Sequence, residues 1–318
     1  MIKRVLLVVF ACFWGVHAAA ADPRDPGKLQ LASANAAVYD ASTGRPIFAK
    51  AANEVTPIAS LTKLMTAMVV LDGGQSLDEP VAVDIQDFDF LKGSSSRLRL
   101  GTQLPRREML RLALMSSENR AASAVARHYP GGLDSFVAAM NAKAIALGMK
   151  RTRFDDPTGL SPKNVSTAND LAVMVRAAAE YPLIREFSTT PSHYVEVDPA
   201  GSIVGFNNSN RLVASSDWEI LLQKTGYIRE AGRCLVMLAN VASRPVVIVL
   251  LDSIGKYTRL GDAERIRHWL ETGDALPLRA VARGAGPAAK ASAPGKRVSG
   301  GPVRGSFNAA PPRRSRAR

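Results

Sequence analysis

Cysteine is nearly missing from this chain: 318 residues carry two, and one of these, Cys12, lies in an apolar run close to the N-terminus. The other, Cys234, cannot close an internal disulfide alone, which excludes a cystine-stapled miniprotein. Its setting, Cys-Leu-Val-Met-Leu, reads as a buried strand and gives the thiol a packing role. Histidine is also scarce, with four residues, and no His-Glu-x-x-His or cysteine cluster implies a metal or cofactor. The apolar run 5–16 spans twelve residues, short of the ~20 a helix needs to cross a bilayer. Acidic residues are absent from 279–318, a stretch with ten Lys and Arg.

What is present is a chain with 47% hydrophobic and 22% charged residues, long enough for one or two cores. The net charge of +13 would suggest a nucleic-acid partner, but twelve of the charges sit at the two ends: ten in the tail, and Lys3 and Arg4 at the front. The body is close to neutral, and no aromatic residues interleave with the basic ones, so nucleic acid is not expected as a partner. Lys3 and Arg4, the apolar run and then Ala19-Ala20-Ala21 have the three-part layout of a secretory signal peptide over 1–21. Phe10 stands where a lipoprotein signal needs a small residue, which argues against acylation of Cys12. The tail, 279–318, is Ala, Gly, Pro, Ser and Arg with too few large apolar residues to offset its ordering entropy, and it reads as a basic disordered segment. Its cations could bind an anionic envelope surface or could be a solvated appendage.

Between them, 22–278 changes period twice. Residues 36–50 read as two short strands around Ser42-Thr43-Gly44, a hairpin signal. From about 56 to 182 the pattern is helical. Its stripes are Leu61, Leu64, Met65, Met68, Val69; then Met109, Leu110, Leu112, Ala113, Leu114; then Phe136, Val137, Met140, Ala144, Ile145, Leu147, closed by Gly148. A fourth opens at Asn169 or Asp170. Strand-like runs return at 194–197, 203–206, 218–223, 234–241 and 246–252, and an amphipathic helix follows over 260–270. Strands at both ends and helices between them predict an α+β fold, with one antiparallel sheet built from both termini, flanked by helices and holding an inserted, mostly helical region.

Three short motifs carry the chemistry. Ser60-Leu-Thr-Lys63 fits S-x-x-K, Ser117-Glu-Asn119 fits S-x-N, and Lys224-Thr225-Gly226 is the single K-T-G. Singly these are cheap: Ser253-Ile-Gly-Lys256 is a second S-x-x-K, and each motif could be a helix cap, a solvated charge or a strand end with a turn glycine. Required in that order, they allow one assignment, the signature of the penicillin-recognising serine enzymes. Their context agrees. Ser60 opens a buried helix, where free N–H groups favour developing negative charge. Spacing of three puts Lys63 on the same helix face. Ser117 falls at a break between helices, and Lys224-Thr-Gly ends the 218–223 strand. A serine hydroxyl needs a base, and His128, His193 and His268 have no motif around them. Lys63 is therefore the candidate, in neutral form, its pKa brought from ~10.4 to near 7 by burial and by a second cation such as Lys224.

The stretches 58–66, 114–122, 155–161 with 166–171, and 222–227 with 231–236 resemble the D-alanyl-D-alanine peptidases among the low-molecular-mass penicillin-binding proteins. Within that family they are most similar to the endopeptidase branch typified by penicillin-binding protein 7. The resemblance covers roughly 31–270 and implies a β-lactamase/DD-peptidase-like fold. It implies a catalytic domain over 22–278 that cleaves a D-alanine peptide bond through an acyl-enzyme on Ser60. Ser117 would relay a proton to the leaving amine, Asn119 would bind the substrate amide, and Lys224 with Thr225 would hold acidic or carbonyl groups of the peptide. Gly226 would let the strand approach the substrate, and the N–H groups of Ser60 and Tyr227 would form the oxyanion hole. The implied partners are peptidoglycan peptide stems and β-lactams as covalent inhibitors, and the implied compartment is the periplasm. Two departures stand out: the extra β-rich domain and terminal amphipathic anchor of the carboxypeptidase branch are not found, and the basic tail is foreign to the family pattern.

The motifs leave the scissile bond open. A D-alanyl-D-alanine carboxypeptidase trimming pentapeptide stems would use the same residues. A β-lactamase of the class A type would need a Glu-x-x-Leu-Asn element between Ser117 and Lys224, which is missing. A non-catalytic wall-binding module would have no use for Lys63 beside Ser60.

Overall fold

The computed structural model describes residues 24–90, 92–197 and 201–278. The expected signal peptide, 1–21, and basic tail, 279–318, lie outside the described residues.

In chain order the first strands are β1 (Asn35–Asp40), β2 (Pro46–Lys50) and β3 (Thr56–Pro57), followed by helix α1 (Thr62–Asp72). A short β4 (Pro80–Ala82) pairs with β5 (Gln103–Pro105), and the helices α2 (Arg106–Met115), α3 (Asn119–Arg127) and α4 (Gly132–Ala146) come next. After β6 (Val165–Ser166), which pairs with β3, the chain forms α5 (Ala168–Ala179) and α6 (Pro182–Thr189). Strands β7 (Ser192–Glu196) and β8 (Ile203–Asn207) precede the long β9 (Glu219–Ile228), β10 (Gly232–Val241) and β11 (Arg244–Ser253), and α7 (Thr258–Thr272) closes the fold.

The principal sheet has the order β2-β1-β11-β10-β9 and is antiparallel throughout. The N-terminal hairpin joins the C-terminal meander through β1 and β11, with Asn35 opposite Leu251 and Asp40 opposite Val246. The α+β arrangement built from both termini is thus observed. Ala242 and Ser243, both at positive φ, make the tight β10–β11 turn, the backbone a twisted hairpin requires. Alternation along β10 and β11 sends Leu235, Met237, Ile248 and Leu250 to an apolar layer with Ile266, Trp269 and Leu270 of α7. The alternate residues Val236, Leu238, Val247 and Val249 join the larger core built with α1 and α5. Among the described residues no helix is long and apolar enough to cross a membrane.

Three details differ from the sequence reading. The run expected to stop at Gln223 continues to Ile228, so Lys224, Thr225 and Gly226 lie inside β9 rather than at its end. Pairing with β10 supplies the continuity: Lys224 stands opposite Val236 and Gly226 opposite Cys234. The runs at 194–197 and 203–206 form a separate β7–β8 hairpin outside the principal sheet. Helix α6, begun by Pro182 at its first turn, extends the helical region past 182.

Candidate active site

Ser60 sits in a single 3-10 turn, Ala59–Leu61, that runs directly into α1. Ala59 is held at φ 49°, an unusual backbone for a residue with a Cβ, of the kind found where the surroundings over-determine a functional turn. Two glycines clamp it. A Cβ on Gly159, itself at φ +82°, would lie 2.0 Å from the Ala59 carbonyl oxygen and 2.8 Å from the Ser60 nitrogen. A Cβ on Gly226 would lie 3.0 Å from the Ile58 oxygen and 3.2 Å from the Ser60 nitrogen. The Ser60 turn is therefore wedged between the loop 155–164 and strand β9, with room for backbone alone on either side. Strand β9 is an edge strand of the principal sheet, and Tyr227, the residue after Gly226, is half exposed there.

Lys63 follows one helical turn later and is 1% exposed. Its Nζ lies 2.9 Å from Ser60 Oγ, 2.7 Å from Asn119 Oδ1 and 2.6 Å from the Thr158 carbonyl oxygen. Burial lowers its pKa to about 7, against the opposing pull of the Asp156 and Glu118 carboxylates. Desolvation favours the neutral amine, and the three short contacts replace water for it. Lys224 is fully buried as well, its Nζ donating to the Thr225 carbonyl at 2.9 Å. Its pKa is lowered well below the ordinary lysine value by burial, then by repulsion from Lys63 and Arg259. The expectation that a second cation tunes Lys63 is not met: burial alone lowers the Lys63 pKa, while Lys63 and Arg259 act on Lys224.

Ser117 occupies the break between α2 and α3 at φ 63°. Its hydroxyl makes no hydrogen bond among the described residues, whereas Asn119, the first residue of α3, faces Lys63. Across the cleft, Thr225 Oγ1 donates to Ser209 Oγ at 2.7 Å, and the Ser209 N–H donates to the Met115 carbonyl at 2.8 Å. Ser209 thus ties β9 to the helix end just before Ser117. The structure brings Ser60, Lys63 and Asn119 into direct contact and sets Gly226 against the Ser60 turn. It places Lys224 and Thr225 on β9 and Ser117 on its own strained turn.

The chain matches the D-alanyl-D-alanine carboxypeptidase family model over residues 19–255. This protein belongs to that family. It is similar to the D-alanyl-D-alanine endopeptidase of Pseudomonas aeruginosa, with 50% identity over 81% of this chain and 83% of the relative. It is 48% identical to the D-alanyl-D-alanine endopeptidase of Escherichia coli, over 80% of this chain and 82% of that one. Its fold is similar to the crystal structure of the Streptomyces K15 DD-transpeptidase, with a TM-score of 0.71 and 29% identity over 76% of this chain and 98% of that one. The chain is a serine DD-peptidase with the penicillin-binding fold.

Around the motifs of this DD-peptidase stand residues that sequence reasoning did not single out. The loop 155–164 is organised by Asp156, which accepts from Thr158 N, Thr158 Oγ1 and Gly159 N with one oxygen and from Ser161 N with the other. Buried Asn164 accepts from the Asp155 and Asp156 N–H groups and donates to Thr62 Oγ1, and its own carbonyl receives Ile58 N–H. Together they fix the Thr158 carbonyl against Lys63 and the Pro157 carbonyl against Thr66 Oγ1. The signal was the Asp-Pro-Thr-Gly run, a turn pattern. Arg259, at the start of α7, had no such signal. The residue is partly buried, and its buried Nε and Nη1 have no acceptor among the described residues. Burial and the charge of Arg233 lower its pKa, and its own charge does the same to Lys224. His193, which had no motif around it, binds Glu108 at 2.6 Å, on α2 and without contact to the cluster.

Proposed function

We propose that this DD-peptidase is a D-alanyl-D-alanine endopeptidase that cleaves the peptide cross-links of peptidoglycan in the periplasm, with Ser60 as nucleophile. The observation that carries the reading is the buried Lys63 amine 2.9 Å from Ser60 Oγ. A neutral amine has two N–H donors and one lone pair. The donors match Asn119 Oδ1 and the Thr158 carbonyl, which leaves the lone pair for the Ser60 hydroxyl proton.

In the first step that proton passes to Lys63 Nζ while Ser60 Oγ bonds the carbonyl carbon of the D-alanyl amide. The negative charge developing on the carbonyl oxygen is received by the N–H groups of Ser60 and Tyr227, at the head of the helical turn and on the free edge of β9. The C–N bond then breaks, and the leaving amine takes a proton through Ser117, whose hydroxyl has no partner among the described residues. Asn119 binds the substrate amide, and Lys224 and Thr225 hold the peptide along β9. We add Arg259 to this set: a partly buried guanidinium with two unmatched donor nitrogens suits the carboxylate next to the leaving amine. Water then attacks the ester, with Lys63 as base again, and frees the enzyme. A β-lactam offers the same carbonyl and acylates Ser60.

The preference for cross-links draws on the two relatives near 50% identity, both named endopeptidases, whereas a Bacillus subtilis relative named a carboxypeptidase is 30% identical. Products from a cross-linked muropeptide dimer and a pentapeptide monomer test it. Cleavage of the dimer is expected; release of D-alanine from the monomer alone makes the protein a carboxypeptidase. Ser60→Ala is expected to abolish both cleavage and labelling by fluorescent penicillin. The region 22–278 is proposed as the catalytic domain, 1–21 as the export signal and 279–318 as a basic tail. Arg265, anchored on Asp262, also holds the Leu278 carbonyl and so closes the body at that point. Truncation after Leu278 is expected to keep penicillin acylation.

A further inference from the structure

Strand alternation turns Gly226 toward the Ser60 turn and Tyr227 to the opposite face of β9, the one α7 covers. A group of cations that the mechanism above does not use gathers there. Arg233 stands opposite Tyr227 in the β9–β10 pairing, its guanidinium carbon 4.4 Å from the centre of the Tyr227 ring. Arg211, two residues after Ser209, lies 5.7 Å from the ring centre of Tyr257, the residue before α7, and Lys256 Nζ lies 5.5 Å from the same ring. Arg259 joins the two pairs, being two residues from Tyr257 and close enough to Arg233 for their charges to interact. Among the described residues Arg211, Arg233, Lys256 and Arg259 make no ion pair. The acids on the same elements are engaged elsewhere: Glu230 with Lys92, Asp262 with Arg265, and Glu264 with Arg267 and the Trp218 indole. Asp252 lies against Gly232 and pairs with none of these cations. Tyr227, Arg211 and Lys256 are all exposed.

We infer that this patch is a subsite for a peptide leaving group, in which Arg233, Arg211 and Lys256 receive carboxylates beyond the one that Arg259 takes, and that it is the source of a preference for cross-links. The inference rests on the proposed endopeptidase reading and names the residues behind it. The leaving half of a cross-link is itself a peptide. It carries a terminal carboxylate and the carboxylates of its acidic side chains in addition to the one beside the reacting amine. The leaving group of a carboxypeptidase is one amino acid, with that single carboxylate. Arg259 suffices for the second case, and cations further along the same surface serve the first alone. The aromatic contacts suit this use: a guanidinium laid on a ring is held through its face, and its N–H edge stays open to a carboxylate. The path is also continuous with the reaction centre, since Tyr227 follows Gly226 at the Ser60 turn and Arg211 follows Ser209, the partner of Thr225. Binding energy from such remote groups is what lets an enzyme separate substrates that present the same scissile bond.

The experiment compares kcat/KM for a cross-linked muropeptide dimer and a pentapeptide monomer in the full-length protein, in Arg233→Gln and in the double variant Arg211→Gln with Lys256→Gln. Benzylpenicillin acylation is measured alongside as a check on the Ser60 cluster. The dimer-to-monomer ratio is expected to fall about fivefold in Arg233→Gln and about tenfold in the double variant, mostly through KM, while acylation stays within about twofold. A dimer whose leaving-half carboxylates are amidated, except the one beside the reacting amine, should show the reduced ratio in the unmodified protein, and the variants should lower it no further. An unchanged ratio, equal losses on both substrates, or an undiminished effect of the variants on the amidated dimer overturns the subsite and leaves the endopeptidase reading intact. An unmodified protein that releases D-alanine from the monomer and leaves the dimer uncut overturns that reading and the subsite with it.

Discussion

On one face of the sheet, Leu235, Met237, Ile248 and Leu250 meet Ile266, Trp269 and Leu270 of α7 in an apolar layer that also holds Phe48 and Trp218, and the charges α7 buries, Asp262 and Arg265, are paired with each other. On the other face the same strands meet α1 and α5, and the core there is interrupted by groups that cores usually exclude: Lys63, Lys224, Thr62, Thr66 and Asn164 are all buried. Both faces exclude water equally well, yet they use that exclusion differently. Under α7 it supplies stability, since buried apolar area contributes about 25 cal/mol per Å². Under α1 it works against the ammonium form of two lysines and suits one of them, Lys63, to the role of base proposed above. The molecule keeps its cohesion on one side of the sheet and its reactivity on the other.

Lys63→Met would break this comparison most severely. Acylation by benzylpenicillin is expected to fall by ~10³–10⁴-fold, measured by stopped-flow, because the methionine has the length but no lone pair of comparable basicity. Asn119 Oδ1 and the Thr158 carbonyl lose their donor, so a stability loss of ~1–3 kcal/mol is expected beside the far larger loss of rate. The pH dependence sharpens the point. Lys63 has a folded pKa of about 7 against the ordinary 10.5, so between these values the unfolded chain binds more protons than the native one. Stability from this group therefore increases as pH rises from about 7 to about 10.5 and has no slope from it below 7. Lys63→Met should lose that slope in denaturant titrations; an identical slope in both proteins refutes the assignment.

Trp269→Ala is the converse experiment on the opposite face. Removing the fully buried indole is expected to cost ~3–5 kcal/mol of unfolding free energy, while the acylation rate per folded molecule stays within about twofold. A large loss in that rate would show that the two faces are mechanically coupled. Arg259→Gln falls between the faces, at the start of α7 but close enough for its charge to act on Lys224. It is expected to lower kcat/KM for peptides by ~10²-fold, the loss of a buried charge-assisted contact. Its effect should be smaller on an amide substrate lacking the leaving-group carboxylate.

Much of this division was legible in the sequence, for physical reasons that differ by face. Period-two apolar runs with β-branched residues identify β10 and β11, and the 3.6-residue stripe containing Leu61, Leu64, Met65 and Met68 identifies α1, because burial on one side leaves a repeating pattern. The ordered motifs place Ser60, Lys63 and Asn119 together because catalysis demands particular residue types at fixed spacing. Two things stayed hidden. The extension of β9 through Gly226 was masked because glycine reads as a strand end, when here it is needed for close approach to Ser60 N. Arg259 and the Asp156 network act through three-dimensional proximity across long separations, and neither leaves a periodic trace. The β7–β8 hairpin shows a related limit: local pattern gives strands, but not which sheet they join.

The finest test of the reactive face concerns the acids that oppose its chemistry. Asp156 and Glu118 both raise the Lys63 pKa, partly offsetting burial. Removing either charge should lower that pKa further, so the acid limb of the acylation profile, set near pH 7 by Lys63, moves to lower pH. The sign is fixed: the amine must be neutral to accept the Ser60 proton, and a weaker pull on its proton keeps it neutral in more acidic solution. Glu118→Gln keeps an oxygen for the Arg120 N–H it now caps, so its shift should come with little loss of stability. Asp156→Asn cannot satisfy all four donors that converge on the carboxylate, and should add a destabilisation of ~1–3 kcal/mol. Should Asp156→Asn lower the rate at every pH without moving the limb, the loop acts through geometry alone, and the Lys63 amine takes its pKa from burial without electrostatic help from these acids.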